Sequence, residues 1–252
     1  GCVNFCTYCI IPYARGPVRS LPLEQAVAQT RRLREEGYRE IVFTGIEISS
    51  WGHDFKDGSS LIDLLEAVSA AAGDMRLRLG SLEPRTITED FCRRAARLPN
   101  LCEQFHLSLQ SGCDETLRRM NRRYTAEHYK SLIADAREKM PDITLSSDII
   151  VGFPGETDED FEQTLRLVQD TRFDLLFTFL YSPRTGTPAA SYEDNASPQD
   201  KQRRFERLLK TQDDIVAEKQ AAYQGKTLRL LVDGAAKGPD YPYTARTEGN
   251  LL

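Results

Sequence analysis

Residues 1–16, Gly1-Cys2-Val3-Asn4-Phe5-Cys6-Thr7-Tyr8-Cys9-Ile10-Ile11-Pro12-Tyr13-Ala14-Arg15-Gly16, place three thiols in the pattern Cys-x3-Cys-x2-Cys. A structural zinc site takes four ligands, a disulfide framework an even number and a thiol redox pair two. Three leave one position of a metal centre open. Thiolates are the ligands of iron–sulfur clusters, and three on one loop can hold three irons of a cubane while the fourth keeps an exchangeable site. An amino acid's amine and carboxylate can chelate that site. Three other readings stay open at this point. Zinc would need a fourth ligand from His53, His106 or His128, all remote in sequence. A Cys6-Thr7-Tyr8-Cys9 redox pair would lack a helix beginning at its second thiol, because Ile10, Ile11 and Pro12 follow. Three unrelated buried thiols are the last alternative. Haem attachment is excluded by Ile10, where a histidine is required.

Outward from this loop, apolar β-branched runs alternate with amphipathic helical stretches. Strands are predicted at 40–44, 76–80, 104–109, 144–151 and 175–181, with helices at 23–36, 61–72, 88–98, 126–140 and 158–171. Pro22 suits a first turn, Thr86 and Thr157 suit caps, and Gly37 suits the residue after a C-terminus. This alternation predicts a parallel α/β sheet with right-handed crossovers. The strands read as nearly continuous apolar runs, the pattern of a sheet covered on both faces. Polar residues gather where strands end, at Thr44–Glu47, Ser81–Pro84, Gln110–Gly112 and Gly152–Glu156. Parallel α/β folds bind ligands beyond the carboxyl ends of their strands. Ordinary strand-to-helix turns also favour Gly, Ser and Pro.

The chain has 252 residues, 40% hydrophobic and 28% charged, a globular composition. No apolar run approaches the roughly eighteen residues of a membrane span, and no signal-peptide order opens the chain. A reducing, cytoplasmic setting is the expectation, since Cys92, Cys102 and Cys113 are scattered and the first three are too close for ordinary bridges. A net charge of -5 gives no general attraction to nucleic acid, so any RNA surface must be a local patch. Candidate patches are Arg15 with Arg19, the run Arg118, Arg119, Arg122 and Arg123, and the helix from Lys201 to Lys210; each also reads as a solvated face.

The cysteine spacing with Tyr8 before the last thiol resembles the radical S-adenosylmethionine enzymes, and IIPYARGPVRS (10–20) is similar to their methylthiotransferase branch. So are TGIEISSWG (44–52), RLRLGSLEP (76–84), FHLSLQSGCDETLRRMNRRYT (105–125), SSDIIVGFPGETDEDF (146–161) and YSPRTGTPAA (181–190). PYARGPVRS and MNRRYT resemble the enzymes acting on threonylcarbamoyladenosine beside the tRNA anticodon more than the isopentenyladenosine or ribosomal-protein branches. The resemblance implies a partial (β/α) barrel carrying a 4Fe-4S cluster on Cys2, Cys6 and Cys9. It further implies S-adenosylmethionine cleaved to a 5'-deoxyadenosyl radical, which abstracts hydrogen from carbon 2 of the modified adenine before a methylthio group is inserted. An electron donor such as flavodoxin or ferredoxin is implied as a partner. Gly45 and Glu47 match the region that holds the methionyl amine. Glu83, Gln110 and Asp148 are candidates for cofactor or substrate contacts, and Gly152 and Gly155 for close backbone approach to the adenine. Hydrogen bonds tying one turn to the next would also account for these residues. Arg122, Arg123 and Arg184 are candidates for tRNA binding. The competing class is a nonenzymatic RNA-binding module with structural zinc.

Members of the family carry an N-terminal domain with three further cysteines for a second 4Fe-4S cluster, and a barrel strand just before the cluster loop. Neither lies within these residues, and the sequence is read as a fragment. Cys92, Cys102 and Cys113 have no matching spacing and read as small core or turn residues. The expected division is a radical SAM core over 1–224 and, over 225–252, the incomplete start of a TRAM-like RNA-binding domain, from KTLRLLVDG (226–234) and YPYTARTEGN (241–250), after a long charged helix at 198–223.

Overall fold

The computed structural model describes residues 1–238 and 240–252. Its frame is a wall of parallel strands in chain order: β1 (Glu40–Phe43), β2 (Arg76–Leu79), β3 (Ser81–Leu82), β4 (Gln104–Leu107), β5 (Thr144–Val151) and β6 (Leu175–Leu180). β2 pairs with β1, and β3 pairs with β4, which continues to β5 and β6. Between β2 and β3 stands Gly80, whose N–H donates to Phe43 O at 2.8 Å; a Cβ there would lie 3.1 Å from that oxygen. One stretch of chain thus changes partner at a glycine. Sequential neighbours joined by helical crossovers form a barrel wall, here partial, with β1 and β6 at its edges.

Helices α1 (Ile11–Arg15), α2 (Leu23–Glu35), α3 (Leu61–Ala72), α4 (Glu89–Ala95), α5 (Asp114–Arg119), α6 (Ala126–Lys139), α7 (Asp158–Thr171) and α8 (Pro198–Ala221) accompany the strands. The main core lies on the convex side, where Leu65 and Val68 of α3 join Leu77, Phe105, Leu145 and Ile149 of the strands with Phe161 and Val168 of α7. Thr157 caps α7 as expected: its hydroxyl accepts from Asp160 N at 3.1 Å, and Asp160 Oδ2 accepts from Thr157 N at 3.0 Å. α4 is capped by Thr88, not Thr86; Thr86 closes a short 3-10 turn over Pro84–Thr86. α1 and α5 were not expected, being too short to show a 3.6-residue period. α1 begins two residues after Cys9 with Pro12 in its first turn, so the absence of a helix there no longer counts against a redox pair.

β2 and β4 are buried at every residue, in keeping with coverage on both faces, but the edge strands β1 and β6 are not. Val42, Phe177 and Phe179 are 45–51% exposed on the concave side, where they line an open lumen of about 730 Å³ with Gly80, His106 and Asp148. The apolar runs therefore serve the packed convex face and the lumen together.

The tail forms β7 (Leu231–Ala235) and β8 (Tyr243–Arg246), antiparallel with a bulge between Val232 and Gly234. It seats on the barrel rim where the strands begin. Arg78, 4% exposed, binds the Glu40 carboxylate through Nε and Nη2, each at 3.0 Å, and donates to the carbonyls of Glu248 (2.8 Å) and Thr247 (3.2 Å). Arg76 donates to Arg246 O and Arg229 O, and Thr144 Oγ1 to Gly249 O at 2.9 Å. Among the described residues, no helix is long and apolar enough to cross a membrane.

Candidate functional site

Cys2, Cys6 and Cys9 are free thiols on an irregular loop; Cys6 is buried and the others half-buried. The loop is irregular because its backbone groups bond elsewhere. Thr7 N donates to Met120 O (3.1 Å), Thr7 Oγ1 to Arg119 O (2.8 Å), and Ala189 N to Thr7 O (2.9 Å). Asn121 Nδ2 donates to Asn4 O (3.3 Å) and Phe5 O (2.9 Å). Asn121 itself stands at φ 58°, a left-handed conformation that asparagine tolerates. Tyr8 packs edge-on against Phe153, 6.3 Å between ring centres, in a small apolar cluster with Met120 and Ala189. The segments MNRRYT and TGTPAA, distant in sequence, are thus the two walls that hold the cysteine loop.

Beside the loop opens a cavity of about 510 Å³ lined by Val3, Asn4, Glu47, His53, Glu83 and Arg123, among others. Glu47 follows β1 and precedes a 3-10 turn over Ile48–Ser50; Ser50 Oγ donates to its Oε2, while its Oε1 is buried without a partner. Burial pushes this carboxyl above its usual range and the neighbouring Glu83 adds to the shift, against hydrogen bonds from Ser49. Burial likewise raises the Cys2 thiol, with Glu47 nearby. Glu83 is fixed from two sides: Ser49 Oγ accepts from its backbone N–H at 2.9 Å, and its carboxylate accepts from Arg85 N (2.9 Å) and Nε (3.1 Å). A carboxylate with an unpartnered oxygen beside open volume can receive a small cationic group next to the cysteine loop. Gly45, exposed after β1, lines a groove beside α2 that Gly1 and Glu47 also line, so Glu47 stands between this groove and the cavity.

The remaining predicted residues divide. Asp148 lies in mid-β5, within the predicted strand, and faces the lumen; it accepts from His106 Nε2 (3.0 Å) and Ser108 Oγ (3.1 Å). His106, considered in the sequence only as a zinc ligand, also meets Ser146 Oγ through Nδ1 at 3.0 Å and packs against Phe177. Gln110 is buried at φ 75° and ties β4 to β5 through its backbone, donating to Asp148 O and accepting from Ile150 N. Gly152 and Gly155 do have positive φ, 72° and 78°, but side chains of this chain occupy the space beside them. A Cβ on Gly152 would lie 2.7 Å from Lys201 Cγ, and one on Gly155 2.9 Å from Arg119 Nη1, so on that side each glycine makes room for a side chain of this chain.

Of the arginines, Arg123 is exposed at the cavity, and Arg184 is exposed on a turn whose carbonyl accepts from Thr187 N and Oγ1. Arg122 turns inward: its Nη1 is 3.4 Å from Cys6 Sγ, its Nη2 donates to Ser108 O at 2.9 Å and its Nε to Tyr124 OH at 2.8 Å. It is withdrawn from the RNA-facing set because its donors are already directed at the chain's own acceptors. Cys92 and Cys102 are buried, their thiols pushed up to about 11 mainly by burial, and Cys113 donates to Asp160 Oδ1.

The Radical SAM superfamily model matches residues 1–168, from the cysteine loop through most of α7. The chain belongs to the radical SAM superfamily. Among curated proteins it is 44% identical over all 252 residues to tRNA-2-methylthio-N(6)-dimethylallyladenosine synthase of Acetivibrio thermocellus, covering 52% of that protein. It is also 44% identical to the synthase of the same name from Clostridium botulinum strain Loch Maree, covering 56% of it. The chain spans about half the length of these relatives. Among solved structures it is similar to a radical S-adenosylmethionine methyltransferase from Kitasatospora setae with cobalamin and a 4Fe-4S cluster bound (TM-score 0.60, 19% identity, 95% of this chain and 41% of that one). Methylornithine synthase is similar at TM-score 0.57, with 15% identity over 84% of this chain and 60% of the other. At these identities the likeness is one of fold.

The donor set fits the superfamily's cluster. Among the described residues no three His, Cys, Asp or Glu side chains converge to hold a single ion. A cubane spreads its thiolates over three irons and requires no such convergence. Three free thiols on a clamped loop, with a guanidinium directed at one sulfur, suit that group.

Proposed function

We propose that this chain is the radical SAM core of a tRNA methylthiotransferase acting on carbon 2 of an N6-substituted adenosine. The observation that carries the reading is the clamped Cys2–Cys6–Cys9 loop opening beside the Glu47–Glu83 cavity, together with 44% identity over the whole chain to synthases of that class. The similarity to N6-dimethylallyladenosine synthases favours the dimethylallyl substituent. It does not support threonylcarbamoyladenosine, the substrate suggested by PYARGPVRS and MNRRYT.

Cys2, Cys6 and Cys9 would hold a 4Fe-4S cluster, which with S-adenosylmethionine supplies the one-electron chemistry needed at an unactivated aromatic carbon. The chain's own residues do the placing. Glu47, with its free Oε1, and Glu83 receive the cofactor's ammonium group in the cavity. The lumen residues Phe177 and Phe179 offer an apolar surface to the adenine, with the His106–Asp148 pair on the same wall. Arg123 and Arg184 meet the RNA backbone, and residues 225–252 belong to an RNA-binding module.

Mass spectrometry of tRNA nucleosides from a strain deleted for the gene tests the substrate. Loss of the methylthio group from dimethylallyladenosine is the expected result. Its loss from threonylcarbamoyladenosine instead would restore the motif-based substrate, and loss from neither overturns the function. Anaerobic reconstitution with iron and sulfide should give a reducible cluster by electron paramagnetic resonance in wild type and in Cys92→Ala, Cys102→Ala and Cys113→Ala. Replacing Cys2, Cys6 or Cys9 by alanine should abolish it, since nothing nearby substitutes for a lost thiolate.

A further inference from the structure

Arg122 has an unusual set of partners. Its neighbours Arg118 and Arg119 are paired with Glu115 and Asp160, but Arg122 meets no carboxylate among the described residues. Its three nitrogens face a sulfur, a backbone carbonyl and a phenol, and its guanidinium stacks 5.0 Å from the Tyr124 ring centre. Tyr124 OH is itself within 2.7 Å of Leu109 O and 2.9 Å of Ser108 O, so the phenol is anchored to the strand end and holds the guanidinium in place. A half-buried cation without a counter-charge is costly, and removing it from water is repaid only by a nearby anion. With a cluster bound, the anion on offer is the ligating Cys6 thiolate.

Building on the assignment of a cluster to Cys2, Cys6 and Cys9, we infer that Arg122 is a positioning residue that donates to the Cys6 thiolate. It thereby raises the reduction potential of the cluster and fixes it against the end of β4. Hydrogen bonds to cluster sulfurs and net local charge set such potentials. When a low-potential one-electron donor takes the cluster from its 2+ to its 1+ state, one negative charge is added. A fixed guanidinium 3.4 Å from a ligating sulfur stabilises the reduced form more than the oxidised one. The fork geometry matters as much as the charge: Nη1 and Nη2 reach Cys6 and Ser108 at once, which a lysine ammonium on a flexible stem cannot reproduce. Arg122 thus couples the cluster mechanically and electrostatically to Ser108, whose hydroxyl touches Asp148 on the lumen wall.

The test is a potentiometric titration of the reconstituted chain, followed by electron paramagnetic resonance, in wild type, Arg122→Gln, Arg122→Lys and the exposed control Arg123→Gln. Iron and sulfide content are measured on each sample. The expected result is a midpoint shifted to more negative potential in Arg122→Gln, shifted less in Arg122→Lys, and unchanged in Arg123→Gln, with iron content equal throughout. A wild-type midpoint in fully loaded Arg122→Gln overturns the inference. If Arg122→Gln fails to hold iron, Arg122→Lys decides: a negative shift supports the inference, and an unshifted midpoint assigns Arg122 to holding the loop alone. Failure of wild type to form any reducible cluster is a different result, and refutes the cluster assignment itself.

Discussion

Glu156 shows how a single buried carboxyl can leave a signature in the pH dependence of the whole chain. It is 5% exposed, accepts from Gly152 N at 2.7 Å and faces Arg204 Nη1 at 3.4 Å. Burial nevertheless outweighs these partners and pushes its titration up to about 7. An acid that titrates higher when folded than when unfolded stabilises the fold fully below its unfolded value of about 4.3. That contribution is lost as the pH rises through about 7. Glu156→Gln should therefore flatten the stability–pH curve across this window, checked by denaturant melts at intervals of pH. Gly152→Ala tests the same loop differently. Its φ of 72° disfavours a side chain by about 1–2 kcal/mol, and the new Cβ would meet the stem of Lys201. A lower melting temperature with an intact cluster spectrum is the expected outcome. The sequence marked Gly152 and Gly155 as special backbone positions, and their φ values agree. What approaches them was hidden, because Lys201 and Arg119 lie far off in the chain or on another element. Arg122 was hidden for a related reason: an arginine in a basic run carries no local sign of whether it points to solvent or to a sulfur.

Elements were legible in proportion to their length. β5 spans Thr144–Val151 as its apolar run predicts, and α3 and α7 match their predicted limits. α1 and α5, at five and six residues, fall below any periodic signal. The cysteine loop was legible because its chemistry is local: three thiols within eight residues need no tertiary information. The cavity beside it was not, since Val3, Glu47, Glu83 and Arg123 come from four separate segments. At this scale the capping box of α7 gives a measurable term. Thr157→Ala removes the acceptor for Asp160 N and should cost about 1 kcal/mol, a drop of roughly 2–4 °C in melting temperature for a chain of this size.

For the molecule as a whole, the tail acts as a cap on the rim opposite the cysteine loop. Gly249 packs so closely that a Cβ would lie 2.5 Å from Thr144 Cγ2. Gly249→Val should lift the tail, leave Arg76 and Arg78 without their carbonyl acceptors, and open residues 225–252 to limited proteolysis while the barrel still melts cooperatively. Proteolysis at the wild-type rate would show that the tail tolerates the added bulk in place.

The partner change at Gly80 has its own consequence for how the wall comes apart. Because β1–β2 and β3–β6 are separate ladders, joined through one chain and the two bonds of the Leu77–Leu101 bridge, each can open as a cooperative unit once those two bonds break, without breaking every strand pair of the other. Native-state hydrogen exchange should resolve two protection classes that meet at the Gly80 amide, whose bond to Phe43 O belongs to the smaller unit. Glu47 extends from that smaller unit, whereas the Arg122 clamp is anchored on the larger one through Ser108. Slow breathing at the seam would therefore vary the distance between the Glu47 carboxylate and the cysteine loop, with both units still folded.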